Sequence, residues 1–432
     1  MESYTDLPDS FTNPLVPIIE VKASVLTDEK TLRVIERDVT DPEPHELQIA
    51  IKRTGICGSD QHYYKDYENA GNKVREHLTL GHESSGVVLR VGKQVDTFEP
   101  GDRVALEVGI ACDKCKYCAK NLYNLCVGEM RFRSSAKLFP HEQGTLQEAL
   151  NHPAKWVYKL PDAVTLEEGS LIEPLSVAIH AVNRANMKDI KEAEVGSAGG
   201  KVQVLIIGAG AIGLLTAAVL RVEGGCEITM ADVVERRLGF AKENGFADHT
   251  VVVPLPDRLP PGQTQTKEEK TASDLKFAEK VVAEKLTGTG KEKRDYGVVF
   301  ECAGVPSATM AAIRAAAPGS KVVLVGLGPI DQTIPLGSAM QREVDIVGVF
   351  RYRNTYQKGI DMIANRETNG IPDISKIITH TYKEVENVEE AFKMGGRAVD
   401  DEGKLVLKVM IEFDRDLNKP VDGDSWMQGS EL

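Results

Sequence analysis

The chain has 432 residues, 42% of them hydrophobic, with 65 Asp and Glu against 52 Lys and Arg and a formal net charge of −13. That is ample apolar material for two packed domains, while the acidic field repels phosphodiester backbones and argues against nucleic acid as a partner. No run approaches the roughly 18 uninterrupted apolar residues of a membrane helix, and "MESYTDLPDSFTNP" lacks the basic start and apolar core of a signal peptide, so the expectation is a cytoplasmic protein with no membrane partner.

From about Val21 to Val108 the chain shows short β-type runs, "ELQIAIKRTGI" and "SSGVVLRVG" among them, separated by Gly, Pro and Asp turn signals such as "EPGDRV". Within this half lies Cys57 in "GICGSDQHYYK", followed by His82 and Glu83 in "LGHESSG". One sulfur, one nitrogen and one oxygen donor with room for water form the open coordination expected of a catalytic zinc. Taken alone, a His–Glu pair is more often a surface or capping pair.

A denser signal follows in "ACDKCKYCAKNLYNLC", where Cys112, Cys115, Cys118 and Cys126 are spaced C-x2-C-x2-C-x7-C. Four thiolates complete a tetrahedral shell and leave no open position for substrate, so this zinc would be structural. The seven cysteines are an odd number and four are clustered, which favours thiolate ligation in a reducing compartment over a disulfide framework.

From about Lys201 the texture changes. "VQVLIIGAG" leads into "AIGLLTAAVLRVEGG", "CEITMAD" into "ERRLGFAKENG", and "YGVVFECAG" into "SATMAAIRAAAPGS", before "KVVLVGLG". Apolar strands alternating with helices predict a doubly wound parallel sheet, an α/β fold of the Rossmann type. "GAGAIG" sets Gly208, Gly210, Ala211, Ile212 and Gly213 between the first strand and its helix, and Asp232 ends the second strand. In such a fingerprint the first glycine allows the tight turn, the second lets backbone approach a pyrophosphate, and the third lets helix and strand pack closely. Asp232 would accept bonds from ribose hydroxyls and repel a 2′-phosphate, favouring NAD over NADP, while Arg237 could cover the adenine or pair with a phosphate. Cys226 and Cys302 lie on parallel strands and read as small core residues.

After Val349 a helix is expected over "NTYQKGIDMIANR" and a final strand at "GKLVLKVMI". The polar stretches "NMKDIKEAEVGSAGGK" and "PLPDRLPPGQTQTKEEKTASD" (254–274), and the tail "DRDLNKPVDGDSWMQGSEL", read as solvated loops.

"GHESSGVVLRVGKQVDTFEPGDRVALE" resembles the signature GHE-x2-G-x5-G of the zinc-dependent medium-chain dehydrogenase/reductases. With "GICGSD", the four-cysteine lobe, "EPLSVAIHA", "GAGAIG" and "REVDIVGVFRYRNTY", the similarity covers roughly residues 20 to 412. Glu83 after His82, Glu173 in "EPLS" and Arg351-Tyr352 in "VFRYRNTY" look like the polyol dehydrogenase branch, that of sorbitol, xylitol and L-arabinitol dehydrogenases. Simple zinc alcohol dehydrogenases commonly carry a cysteine ligand where this chain has Glu173. The full four-cysteine lobe resembles the fungal and bacterial members.

The resemblance implies a β-rich GroES-like catalytic domain over about 1–175 with its zinc lobe at about 109–130. An NAD-binding Rossmann domain would span about 176–350, and about 351–432 would return to the catalytic domain and end in the polar tail. Zinc ligands by resemblance are Cys57, His82 and Glu83, with Glu173 completing the shell or acting through a water. Ser59 and Tyr63 match positions that bond the substrate and pass its proton. His62 has the spacing of a relay histidine, and a structural role stays open. Arg351 and Tyr352 match positions that hold sugar hydroxyls. Backbone around Cys302 and from Val325 through Leu327 to Gly328 would border the nicotinamide. "RFRSSAKLFPHEQGTLQ" departs from the usual Thr-Pro-Pro approach to the loop walling the pocket.

The implied activity is oxidation of a secondary hydroxyl of a polyol, using NAD and one catalytic and one structural zinc per chain, in a homotetramer or a dimer. L-arabinitol 4-dehydrogenase, galactitol dehydrogenase and other zinc secondary alcohol dehydrogenases are the alternatives within this chemistry. A reused, non-enzymatic scaffold is the alternative outside it.

Overall fold

A computed structural model describes residues 18–190, 200–255, 264–288 and 294–417. The catalytic half is built on a seven-stranded sheet. Its strands run Val157–Lys159, Arg103–Leu106, Glu83–Val91, Glu46–Gly55, Lys408–Glu412 and Ile378–Lys383, with Ala149–Pro153 also paired to Glu46–Gly55. The pairing of Lys408–Glu412 with Glu46–Gly55 is antiparallel and brings the end of the chain back to its beginning. Leu47, Ile49, Ile51, Leu78, Val104, Leu106, Ile411 and Phe413 form the core beneath.

The second half is a six-stranded sheet in the order His249–Val252, Cys226–Asp232, Val202–Ile207, Tyr296–Glu301, Ala316–Leu324, Asp345–Gly348. Every pairing is parallel. Counted in sequence this is the 3-2-1-4-5-6 Rossmann order, whose switch point lies between Val202–Ile207 and Tyr296–Glu301, and ligands bind outside the carboxyl ends of strands at such a point. The central strands Val202–Ile207 and Tyr296–Glu301 are almost wholly buried because helices cover both faces. One core holds Val204, Ile206 and Phe300 with helix Ala211–Glu223, and the other holds Leu205, Val299 and Val322 with helix Pro306–Ala315.

The expected Rossmann strands and helices and the helix Tyr356–Ala364 are all present. The position 175/176 falls inside one continuous helix, Ile172–Ala185. Two expectations are corrected. The first polar stretch, read as a loop from Asn186, is helical at 187–190, with Met187 buried in the core. The polar segment read as a loop through residue 274 is helical from Lys267 to Val281. Thr266 accepts the Glu269 N–H and Glu269 answers through the Thr266 N–H, a capping box, and Ala278 and Val281 are buried against the sheet. The apolar face is short and set late in the helix, so composition hid it. Residues 191–199, 256–263 and most of the tail (418–432) lie outside the described residues. Among the described residues, no helix is long and apolar enough to cross a membrane, and all seven cysteines are free of disulfides.

The glycine turn separates two kinds of glycine. A Cβ at Gly213 would collide with the backbone oxygen of Gly208, whereas one at Gly210 would meet nothing within 4 Å. Gly213→Ala is therefore expected to cost about 1–3 kcal/mol of stability through overpacking, and Gly210→Ala to leave the thermal midpoint unchanged. Thermal unfolding followed by circular dichroism checks both, and equal midpoints would refute the distinction.

Candidate active site and thiolate lobe

In the lobe, Cys115 Sγ lies 3.6 Å from Cys118 Sγ and 3.9 Å from Cys126 Sγ, and Cys112 Sγ lies 4.0 Å from Cys118 Sγ. A tetrahedron of 2.3 Å zinc–sulfur bonds has edges of about 3.8 Å, whereas a disulfide needs about 2.05 Å. All four sulfurs fall within 4.8 Å of one another, so the set fits a tetrahedral ion. Backbone N–H groups of Cys118, Val127, Tyr117 and Gly128 draw the Cys115 thiol down to about 5 against its desolvation, while burial and its neighbouring thiols push Cys118 up to about 12. Four sulfurs so close cannot all ionise without a cation among them. A Cβ at Gly128 would strike Cys112 Sγ, so glycine is required where the lobe closes.

The second cluster is assembled from two places in the chain. Cys57 precedes helix Gly58–Asp66, His82 directly precedes the strand Glu83–Val91 that Glu83 opens, and their donor atoms come within 4.8 Å of one another. His82 and Glu83 are buried, and Cys57 is partly exposed. Gly55 on the adjacent strand leaves the space that the Glu83 carboxylate fills, since a Cβ there would overlap Oε2. These donors fit a zinc with one open side.

Two residues of this site were not singled out from sequence. Asp60, fully buried, has Oδ1 3.3 Å from His82 Nδ1; it also accepts the Ser134 hydroxyl at 2.6 Å and backbone N–H groups of Cys57 and Gly81 at 3.2 Å. The His82 contact is an ion-pair distance rather than a well-aligned hydrogen bond, and it leaves Nε2 as the donor on the other side of the ring. Lys408 places Nζ 2.8 and 2.7 Å from the two oxygens of Glu83, and both residues are buried. The "GICGSD" string contained the signal for Asp60, three residues after Cys57. Lys408, over three hundred residues from Glu83, had none.

Glu173, buried in the first turn of helix Ile172–Ala185, lies outside the three-donor set yet within the field of His82, Glu83 and Lys408. Burial pushes its carboxyl up to about 7, with His82 opposing. Ser59 Oγ is 3.5 Å from His82 Nε2. Tyr63 is buried, and its oxygen accepts the Ala136 N–H at 3.1 Å, so its proton is free to be donated elsewhere. His62 is on the exposed face of the same helix, 3.3 Å from Asp66.

Phe132 links the cluster to Arg351. Its ring centroid is 5.6 Å from that of His82, and the Arg351 guanidinium lies 3.7 Å above it. The segment 131–147 borders the cluster through Phe132 at His82, Ser134 at Asp60 and Ala136 at Tyr63. Burial draws Arg351 down to about 10, against Tyr352 and Glu173, which favour its charge. The buried Tyr352 hydroxyl, beside Glu173, makes no well-formed hydrogen bond.

At the carboxyl ends of the parallel strands a cleft of about 490 Å³ is lined by Gly208, Gly210, Asp232, Arg237, Cys302 and Ala303 among others. Asp232 accepts the Ala209 N–H at 2.7 Å and the Val234 N–H at 2.8 Å, one on each oxygen, which leaves each oxygen a lone pair for a ribose hydroxyl. Cys302 borders the cleft as well as the core, and Cys226 is buried in the core. Val325 donates its N–H to Glu301, and Leu327 is exposed where its backbone meets Gly304.

Residues 43–162 match the alcohol dehydrogenase GroES-like domain, and residues 211–365 match the zinc-binding dehydrogenase domain. The chain is 37% identical to an L-idonate 5-dehydrogenase of Vitis vinifera over 88% of its length and 93% of the relative's. It is 36% identical to a sorbitol dehydrogenase of Arabidopsis thaliana over 91% and 96%. A solved alcohol dehydrogenase of Escherichia coli in complex with NADH aligns with a TM-score of 0.70 at 26% identity, covering 91% of this chain and 100% of that one. Domain content, fold and site together establish that the chain is an oxidoreductase of the zinc-dependent medium-chain dehydrogenase family, in the branch that holds the sorbitol and L-idonate dehydrogenases.

Proposed function

We propose that this enzyme oxidises a secondary hydroxyl of a sugar alcohol such as sorbitol or xylitol to the ketose, passing hydride to C4 of NAD. The observation that carries the reading is a three-donor cluster, buried at His82 and Glu83, with Glu173 in its field and Arg351 and Tyr352 in the field of Glu173. Zinc held by Cys57, His82 and Glu83 would supply the Lewis acidity that lets an alcohol lose its proton near neutral pH. A second ion in the thiolate lobe would be structural.

The chain's own residues supply the rest. Ser59 Oγ, beside His82, is placed to take the hydroxyl proton. Tyr63 can donate to the substrate because its oxygen is already fixed by Ala136. His62, exposed and paired with Asp66, suits the solvent end of that relay. Arg351 and the unpaired Tyr352 hydroxyl would bind hydroxyls further along the carbon chain. Glu173 stands outside the donor set, which supports its action through water rather than as a ligand. The Gly208–Gly213 turn, with Ala211 and Ile212 opening its helix, would hold the pyrophosphate. Asp232 would take the ribose, Arg237 the adenine side, and the backbone around Cys302, Val325 and Leu327 the nicotinamide. The acidic residue at the second strand's end favours NAD over NADP. The protein is proposed to act in the cytoplasm as a homo-oligomer, a tetramer by the resemblance.

Steady-state rates with sorbitol, xylitol, L-arabinitol, galactitol and L-idonate, each with NAD and NADP, test the reading. Turnover of 2-butanol with none of the polyols would sink it. Gly210→Ala is expected to raise the KM for NAD while sparing the fold, because its methyl would meet the pyrophosphate; an unchanged KM would remove Gly210 from cofactor binding.

Metal analysis separates the two centres. The native chain is expected to carry two zinc ions, and Cys57→Ser and Cys115→Ser one each. Asp60→Asn is expected to weaken the catalytic site about 10–100-fold through lost orientation of His82. Glu173→Gln should retain both ions; if it loses one as fully as Cys57→Ser, Glu173 is a ligand.

A further inference from the structure

The thiolate lobe and the loop carrying Arg351 and Tyr352 are bound to each other side by side. Cys126 is directly preceded by a 3-10 turn, Tyr123–Leu125. From that turn, Asn124 Nδ2 donates to the Phe350 carbonyl at 2.9 Å, and Asn124 Oδ1 accepts Arg353 Nη1 at 3.0 Å. Tyr123 Oη accepts the Asn354 N–H at 2.6 Å while donating to Glu107 at 2.8 Å. Just after the cysteines, Met130 Sδ accepts Arg351 Nη1 at 3.1 Å. Phe350, Arg351, Arg353 and Asn354 are thus each tied to residues 123–130, and only Tyr352 points its hydroxyl elsewhere.

The loop needs this. Arg351 has φ 51° and Asn354 φ 54°, both in the left-handed region that side chains with a Cβ seldom adopt. Such conformations persist only where the surroundings over-determine them. Asn124, itself 3% exposed, holds the residue directly before each strained position, Phe350 before Arg351 and Arg353 before Asn354.

We propose that the lobe's turn, with Asn124 as its main clamp, positions Arg351 and Tyr352 and so sets the enzyme's affinity for polyhydroxylated substrates. The four-cysteine lobe acts on substrate binding as well as on stability. The proposal rests on the reading that Arg351 and Tyr352 hold substrate hydroxyls. Asn124 is a positioning residue and touches no reacting atom.

The test compares Asn124→Ala and Asn124→Asp with a control, Tyr158→Phe, in the zinc-loaded full chain. Tyr158 donates to the same Glu107 at 2.8 Å, away from the loop's own hydrogen bonds. Loss of two partly buried hydrogen bonds predicts about a tenfold rise in KM for sorbitol, with kcat within twofold and the KM for NAD unchanged. Asn124→Asp keeps the acceptor for Arg353, so its effect should be smaller. Hydrogen exchange read by mass spectrometry over 350–354 should quicken in both Asn124 variants and in neither the control nor the parent. Unaltered exchange in Asn124→Ala overturns the clamp, as does an unaltered sorbitol KM where Arg351→Met raises it. If Arg351→Met leaves sorbitol KM unchanged while exchange still quickens, the clamp stands and the hydroxyl-binding role of Arg351 is what fails.

Discussion

The buried ion pair between Lys408 and Glu83 is the constraint around which the site is arranged. Both side chains are nearly sealed from solvent, with Nζ within 2.8 Å of each carboxylate oxygen. Leaving either charge alone in such a place would cost several kcal/mol, so the C-terminal strand cannot leave the sheet without stranding Glu83. That requirement explains why the chain returns to its first domain after completing the parallel sheet. The lysine is needed where Cys57, His82 and Glu83 meet.

Charge balance extends the same logic. Cys57, Asp60, Glu83 and Glu173 are potential anions in one pocket, and Lys408 and Arg351 are the cations that face them. A divalent ion would close the difference and leave a neutral site. A neutral site suits an uncharged polyol and would gain most as negative charge develops on the oxygen losing its proton, which is where catalytic stabilisation must be concentrated. Asp60 adds orientation, because a carboxylate on one ring nitrogen of a histidine fixes the tautomer that donates to metal through the other.

Much of this was legible in sequence because the pieces are local. The glycine turn, the apolar strands and the cysteine spacing each depend on neighbours a few residues apart. The helix Lys267–Val281 was hidden by polarity, since its buried residues, Ala278 and Val281, come only in its last turn. Lys408 and the hydrogen bonds of Asn124 were illegible for another reason. Each depends on contacts across more than two hundred residues, and neither Lys nor Asn in those strings has a distinctive partner until the chain folds.

The lobe shows why the distinction between structural and catalytic metal can mislead. A closed thiolate shell has no coordination position for substrate, so its direct chemistry is nil. Yet such a shell would fix Cys126, the turn ending at Leu125 carries Asn124, and Asn124 holds a loop whose backbone is unfavourable at two residues. Strain of that kind stays in place only while something rigid bears on it, and four sulfurs around one ion are as rigid an anchor as a short loop can carry. The catalytic cluster needs no such help, because two strands and a helix already set its donors. The loop carrying Arg351 and Tyr352 runs between strand Asp345–Gly348 and helix Tyr356–Ala364 with no sheet of its own, and the lobe stands in for one.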